Sequence, residues 1–442
     1  MERVVSTRVL FWLWLPLALS FTLMMMESPA TNAILSRFPD SATHLAGFGA
    51  ALGLSLLIES PVIMLLATAI ALVQGRESFL ALMRFVLLLI SGLTLLTALI
   101  AFTPLYDAIA FHLMGLPPAV GEAGRSAMRV MLLWTALIGW RRFLQGVLVR
   151  YGGARFVTWG TAIRLVSILT VGLALLWWNR LPGAIVGALM VMTGVFVEAV
   201  VTTLFAYPVL RERVLTVHEE SPTLTLRAIW RFHLPLALTT LLTLLVHPIT
   251  ASALARMPEP EVTLASWTVV FGSLLIVRSW GMALQEATVA ALQQGVSMET
   301  LRRFTLWVAL GTSGFLAAVV FTPLLALFTD RVLALAPELK PVRYGILLCL
   351  LLPAFTAIGS TLRGVLILRK QTSVVYRGMA LNLLVNTGLL FAGAWLAGDW
   401  SQHGAYVGLT VGTLAFQVAA LAEIAYLGVH LARRVPVGET VS

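Results

Sequence analysis

Charge is scarce in this chain. Only 11% of its 442 residues are Asp, Glu, Lys or Arg, against about 25% in a soluble domain. Cysteine occurs once, at Cys349 within the apolar run "LLCLLL". No internal disulfide can form, and the compartment cannot be read from redox chemistry; the thiol is expected to fill space in a helix. Lysine occurs only at Lys340 and Lys370, so arginine carries nearly all the positive charge, a bias that fits a GC-rich genome. No HExxH metal spacing, no Walker loop and no GxSxG nucleophile is present. These absences argue against a zinc hydrolase, a P-loop ATPase and a serine hydrolase, and no enzyme class is expected.

What is present is apolar. Hydrophobic residues make up 59% of the chain, and the mean hydropathy is +0.93. A spanning helix needs roughly 20 mostly apolar residues, and runs of that length fill almost the whole sequence. The chain is therefore expected to sit in a lipid bilayer. The net charge of +10 raises nucleic acid as a partner, but positive charge also collects on the cytoplasmic loops of membrane proteins. The first residues, "MERVVSTRVLFWLWLPLALS", have the look of a signal peptide without a close small-x-small cleavage site.

An internal repeat bears on that segment. "LPLAL" is spelled at Leu15–Leu19 and again at Leu234–Leu238. The same offset of 219 takes Pro16 to Pro235, Pro29 to Pro248, Arg37 to Arg256, Pro39 to Pro258, Arg84-Phe85 to Arg303-Phe304, and "FTPL" at Phe102–Leu105 to "FTPL" at Phe321–Leu324. One-residue slips pair "ALVQG" with "ALQQG", Gly146 with Gly364, and Gly160 with Gly378. Proline, arginine and glycine are not filler in an apolar chain, so their agreement marks a duplicated unit. The N-terminal segment then reads as a structural helix.

Each unit holds about six spans: near 8–36, 43–75, 79–104, 124–150, 155–180 and 183–211, then 226–256, 261–294, 301–329, 341–369, 375–397 and 403–433. The predicted class is an all-α membrane protein of about 12 helices in two parallel six-helix repeats. An N-lobe over 1–212 and a C-lobe over 226–442 are joined by a cytoplasmic linker at 213–225. With the N-terminus inside, about 20 of the 30 Lys and Arg fall on cytoplasmic loops or ends, Arg3, Arg76, Arg150, Arg369, Lys370 and Arg434 among them. That placement removes the need for a nucleic-acid partner and puts both termini in the cytoplasm. Parallel repeats place a substrate site between the halves near the midplane and suit alternating access. With no ATP-binding signature, transport is passive or driven by a proton or sodium gradient.

Paired prolines, Pro16 with Pro29 and Pro235 with Pro248, predict kinks at matching positions, either at a transport site or as a matter of packing alone. In-span charges should face protein or water. Glu27 precedes Pro29, and its repeat-mate lies beside His247. Glu59 maps onto Arg278, so the two are expected to pair across a cavity, as a structural bridge or a gate. Arg164 maps onto Asn382. Arg141, Arg142, Arg164 and Arg363 suit an anionic substrate, since guanidinium binds carboxylate and phosphate bidentately; the alternative for Arg141, Arg142 and Arg363 is snorkelling to the cytoplasmic face. Glu198 and Glu286 are candidate proton carriers or helix–helix hydrogen-bond partners. His44 and His247 are weaker candidates, and His112, His233 and His403 read as interface or loop residues.

The proline-bearing first helix of each six-span half resembles the multidrug/oligosaccharidyl-lipid/polysaccharide flippase (MOP) superfamily, which includes the MATE transporters. Within it, "LPLAL" with Pro248-Ile249, Asn32, "TALIAFTPLYDAIAFHL", "GRSAMRVMLLWTALIGWRRFLQGVLVRYG" and "HGAYVGLTVGTLAFQVAALAE" are similar to the progressive ankylosis (ANK) family. The ANK resemblance implies export of small anions such as citrate, pyrophosphate or nucleotides, and carries over only Asn32 as a site residue. Glu27 points instead to a proton- or sodium-coupled MATE-type antiporter, whose first helix often holds an acid. A third reading is a flippase for a lipid-linked head group. The expected setting is a monomer in a bacterial inner membrane.

Overall fold

The computed structural model describes residues 7–218, 224–369 and 371–433. Arg3, Lys370, Arg434, both chain ends and part of the expected linker lie outside the described residues. Every regular element among those described is helical. The first six helices are α1 (Thr7–Leu35), α2 (Ser41–Leu72), α3 (Arg76–Phe102), α4 (118–150), α5 (Ala154–Trp178) and α6 (Gly183–Val209). The second six are α7 (Leu226–Leu254), α8 (Pro260–Gln293), α9 (Met298–Val320), α10 (337–368), α11 (Thr372–Leu396) and α12 (Ala405–Arg433).

Among the described residues, ten helices are long and apolar enough to cross a membrane, or eleven if the two pieces of α10, bent by 48°, form one span. The chain is a multi-spanning membrane protein. The remaining helix, α4, carries Arg125, Arg129, Arg141 and Arg142 along its length.

The repeat seen in the sequence is written into backbone geometry. α1 breaks at Met26 and α7 at Leu245; α2 breaks at Met64 and α8 at Ala283. Both pairs are 219 apart. At the first pair the cause is proline. Pro29 and Pro248 lack an N–H, and their rings crowd the carbonyl four residues back, at Met25 and Leu244, where the first segments end. Pro16 and Pro235, by contrast, sit inside unbroken helical segments, so only one proline of each expected pair marks a break.

Left-handed backbone recurs in the same register: Asp40 (φ 50°) with Glu259 (φ 46°), and Gly115 (φ 71°) with Ala334 (φ 52°). After each "FTPL" the chain makes a short helix and a wide turn, at Ala108–Leu113 and Phe328–Val332. Pro323 starts that short helix, so α9 ends at Val320 rather than running on to 329. Cys349 is buried, but it lies at the bend of α10 between Leu348 and Leu352, not within a continuous helix.

The described chain forms two compact units, Met1–Pro29 with Met257–Ser442, and Ala30–Arg256. These units do not follow the expected lobes of 1–212 and 226–442. Each recruits the opening helix of the other repeat. In the first unit, Trp14 on α1 donates its indole N–H to the Trp280 carbonyl at 2.8 Å, and Trp280 donates to Thr22 Oγ1 at 3.0 Å. Leu10, Trp14 and Ala18 then join a core with Ala283, Leu284, Ala287 and Phe304. In the second unit, His233 on α7 donates Nε2–H to the Pro61 carbonyl at 2.9 Å. Trp14 and His233 are repeat-mates, as are Pro61 and Trp280. The same contact is thus made twice with different chemistry. His233, expected at an interface or in a loop, is a fully buried residue of a packed helix.

Glycine allows the tightest crossings. A Cβ at Gly146 would lie 2.5 Å from the Leu66 carbonyl oxygen, and one at Gly364 would lie 2.6 Å from that of Gln285. Small residues are what let membrane helices approach so closely. Gly146→Val and Gly364→Val are expected to destabilise the protein by about 1–3 kcal/mol each through overpacking, read as lower thermal unfolding midpoints in detergent. Gly311→Ala, where a Cβ meets nothing within 4 Å, should instead raise the midpoint slightly.

Candidate functional site

Polar chemistry inside the helices gathers in two clusters, one in each unit. In the unit Ala30–Arg256 the hub is Glu198, which has no exposed surface. α6 carries it inward, and four side chains from α4 and α5 meet it. Arg141 pairs with Oε2 through Nη1; Arg164 Nη1 approaches the same oxygen at 3.4 Å. Gln145 donates to Oε1 at 3.2 Å, and Thr161 Oγ1 stands 3.5 Å from it. Arg141 and Gln145 are one helical turn apart, so both reach one carboxylate from the same face of α4.

Glu59 of α2 is also buried. It lies beside the Trp134 indole and in the field of Arg141, Arg142 and Arg164. Among the described residues it makes no ion pair, and its Oε2 has no hydrogen-bond partner. Three guanidinium groups therefore face two carboxyl groups in this cluster.

In the other unit the hub is Glu423 of α12, 3% exposed at its side chain. Arg363 Nε bonds its Oε1 at 2.7 Å and Asn382 Nδ2 its Oε2 at 2.9 Å. The two hubs are equivalents. A Cβ at Gly160 would sit 3.5 Å from Glu198 Cγ, and one at the repeat-mate Gly378 would sit 3.5 Å from Glu423 Cγ. Arg164 and Asn382, matched in the sequence, serve equivalent carboxylates.

Glu59 and Arg278, expected to pair, belong to different compact units, and each has described surroundings within its own unit. Arg278 donates Nε to Thr356 Oγ1 at 3.0 Å, and its guanidinium lies 5.7 Å from the ring centres of both Phe271 and Phe416. Arg141 and Arg363 each bond a buried carboxylate. Arg142 is half-buried beside Arg141, and its buried Nε has no hydrogen-bond partner among the described residues. Glu27 is half-buried at the start of the second segment of α1, and Asn32 is buried one turn further on. His247 packs its Cβ against Gly53, just before the buried Pro248. Glu286 opens the second segment of α8 with an exposed surface, and Glu198 bonds across helices to α4 and α5.

Glu423, Gln145, Thr161, Trp134, Thr356, Phe271 and Phe416 were not singled out by the sequence. One signal was available for Glu423. Glu198 and Glu423 are each the lone acid within the closing apolar helix of a repeat. Their spacing departs from 219 because the connection into α12 is longer than that into α6, and the offset test passes over them.

This is the architecture of a duplicated, multi-spanning membrane protein with buried ion pairs at equivalent places. No protein-family model matches the chain, and no curated protein matches it. Solved structures do match over nearly its full length. It is similar to a multidrug resistance MATE family transporter of the MOP superfamily in an inward-facing conformation, with TM-score 0.71, 15% identity, and 94% of this chain and 98% of that one covered. It is similar to a MOP superfamily transporter from Pyrococcus furiosus whose binding pocket has reversed polarity, with TM-score 0.62, 15% identity, and 98% and 99% covered. It is also similar to the lipid II flippase MurJ, with TM-score 0.68, 11% identity, and 95% and 87% covered. The fold is that of the MATE-type transporters of the MOP superfamily. None of these matches ties the chain to the ANK family.

Glu198→Gln removes the charge that holds Arg141 and Arg164. Breaking a buried pair typically costs about 3–5 kcal/mol, so this variant should unfold at a clearly lower temperature in detergent. Glu423→Gln, which strands one arginine that is about a third exposed, should lose less. Equal losses would show that the two hubs are not loaded as their geometry indicates.

Proposed function

We propose that this protein is an alternating-access transporter with twelve spans in two six-helix repeats, exporting drug-sized amphiphilic molecules by MATE-type antiport against protons or sodium. The observation that carries the reading is the full-length likeness to MATE-type folds, two of which belong to proteins described as multidrug resistance transporters. Glu59, a buried carboxyl outside any ion pair among the described residues, is the carboxyl best suited to take up the coupling cation. Both termini in the cytoplasm, a bacterial inner membrane and a monomer complete the reading, the first from the placement of the arginines.

A second reading, export of small organic anions as in the ANK family or of a lipid-linked head group, is favoured by one observation. Arg278 has no carboxylate partner among the described residues. The arginines in contact with Glu198 and Glu423 favour it less, because each already bonds a buried carboxylate.

The test is solute flux in proteoliposomes, with amphiphilic dyes compared with citrate, pyrophosphate and ATP, with and without a proton or sodium gradient. Gradient-dependent dye movement is expected, reduced at least tenfold in Glu59→Gln. Movement of citrate, pyrophosphate or ATP without the dyes would replace the first reading by the second.

A further inference from the structure

Arg278 lies in a membrane-spanning helix with no carboxylate paired to it among the described residues. Its guanidinium makes one hydrogen bond among the described residues, from Nε to Thr356 Oγ1 at 3.0 Å. That bond, with the two phenyl rings at 5.7 Å, fixes the plane of the group. Among the described residues no protein acceptor meets the four N–H donors on its two Nη atoms. Neither Nη is a buried orphan atom, and the residue is only half-buried, so the donating edge is accessible.

Among the described residues no carboxylate supplies compensating charge, and Arg363, the cation that acts on Arg278, is already paired with Glu423. An arginine in a membrane-spanning helix with no acid beside it normally faces a pathway or a ligand.

The walls are aromatic. Trp267, Phe271 and Phe416 form a continuous group, with ring centres 5.9 Å apart for Trp267–Phe271 and Trp267–Phe416, and 5.7 Å apart for Phe271–Phe416. All three rings are half-buried, like Arg278 and Thr356. Trp267, Phe271, Arg278 and Phe416 all belong to one unit, on α8 and α12, and do not depend on where the other unit lies.

We propose that this patch is a binding site for an aromatic carboxylate. The carboxylate takes the bidentate edge of Arg278, and the ring of the ligand lies against Phe271, Phe416 and Trp267. Guanidinium and carboxylate match in plane and spacing. The phenyl rings serve twice: they hold the cation through their faces when the site is empty, and they offer apolar area to a ligand. A small, strongly hydrated anion such as phosphate would use only the arginine; an aryl cation would use only the rings and be repelled by Arg278. The proposal rests on the efflux reading and names a substrate class for it, amphiphiles carrying a carboxylate on an aromatic body.

The experiment measures binding separately from flux. The full-length protein in detergent is titrated with 1-naphthoate by calorimetry. The uncharged 1-naphthalenemethanol, 1-naphthylmethylammonium and inorganic phosphate are tested as competitors. Saturable naphthoate binding is expected, with each competitor at least tenfold weaker. Arg278→Gln should weaken binding at least tenfold, Arg278→Lys less, and Phe416→Leu by about threefold to tenfold; Arg303→Gln, on the exposed start of α9, should leave it unchanged. If Arg278→Gln does not fold, Arg278→Lys and Phe416→Leu report on the same patch. Unchanged naphthoate affinity in the Arg278 variants, or equal competition by the ammonium or by phosphate, would overturn the site. Naphthoate binding that depends on Arg278 in a protein that moves no solute would leave the site standing and overturn the transport reading.

Discussion

The contact between the first helix of each repeat and the second helix of the other governs the rest of this structure. It is made at a carbonyl. Trp14 bonds the Trp280 oxygen, and His233 bonds the Pro61 oxygen, at equivalent places. In hydrocarbon there is no water to satisfy a carbonyl left over by an irregular helix, and each unsatisfied group is expensive. Pro61 lies three residues before the break in α2, and Trp280 three before the break in α8. A donor reaching in from a neighbouring helix suits both places. By supplying it from the opposite repeat, the chain builds each compact unit from parts of both halves.

The second constraint is charge. A carboxylate at the centre of a span is costly unless paired, and both units meet that cost in the same way. A lone glutamate on the closing helix is met by an arginine from the fourth helix of its repeat and a donor from the fifth. Arg164 in one unit and Asn382 in the other keep the geometry while changing the charge. The second repeat thus stays balanced around Glu423 with a single arginine. The first repeat holds an excess of positive charge around Glu198 and Glu59. The duplicated architecture thus carries diverged electrostatics, with Arg278 standing where the first repeat has Glu59.

Much of the fold was legible in the sequence because membrane helices write themselves as long apolar runs and because proline, glycine and arginine hold their register across the duplication. The breaks at Met26 and Leu245 fall where Pro29 and Pro248 remove a backbone donor. The site was legible only in part. Arg164 and Asn382 were matched through the repeat and proved to serve equivalent carboxylates. Glu423 fell out of register by the length of one loop. Trp267, Phe271 and Phe416 are indistinguishable in sequence from other lipid-facing or core aromatics, because only the folded chain groups these rings and brings two of them to the Arg278 guanidinium.

The sequence by itself determined that the chain lives in a bilayer, that it is a duplication, and roughly where its helices run. These are local matters of hydropathy, proline geometry and spacing. Only the tertiary structure decided which helices share a unit and which charges meet. Glu59 and Arg278, matched as repeat-mates, occupy separate units with separate surroundings. Equivalence within a repeat fixes a residue's place in its own six helices; partnership depends on which faces those helices bury, and the exchange of α1 and α7 between repeats is a long-range packing choice that no local pattern records.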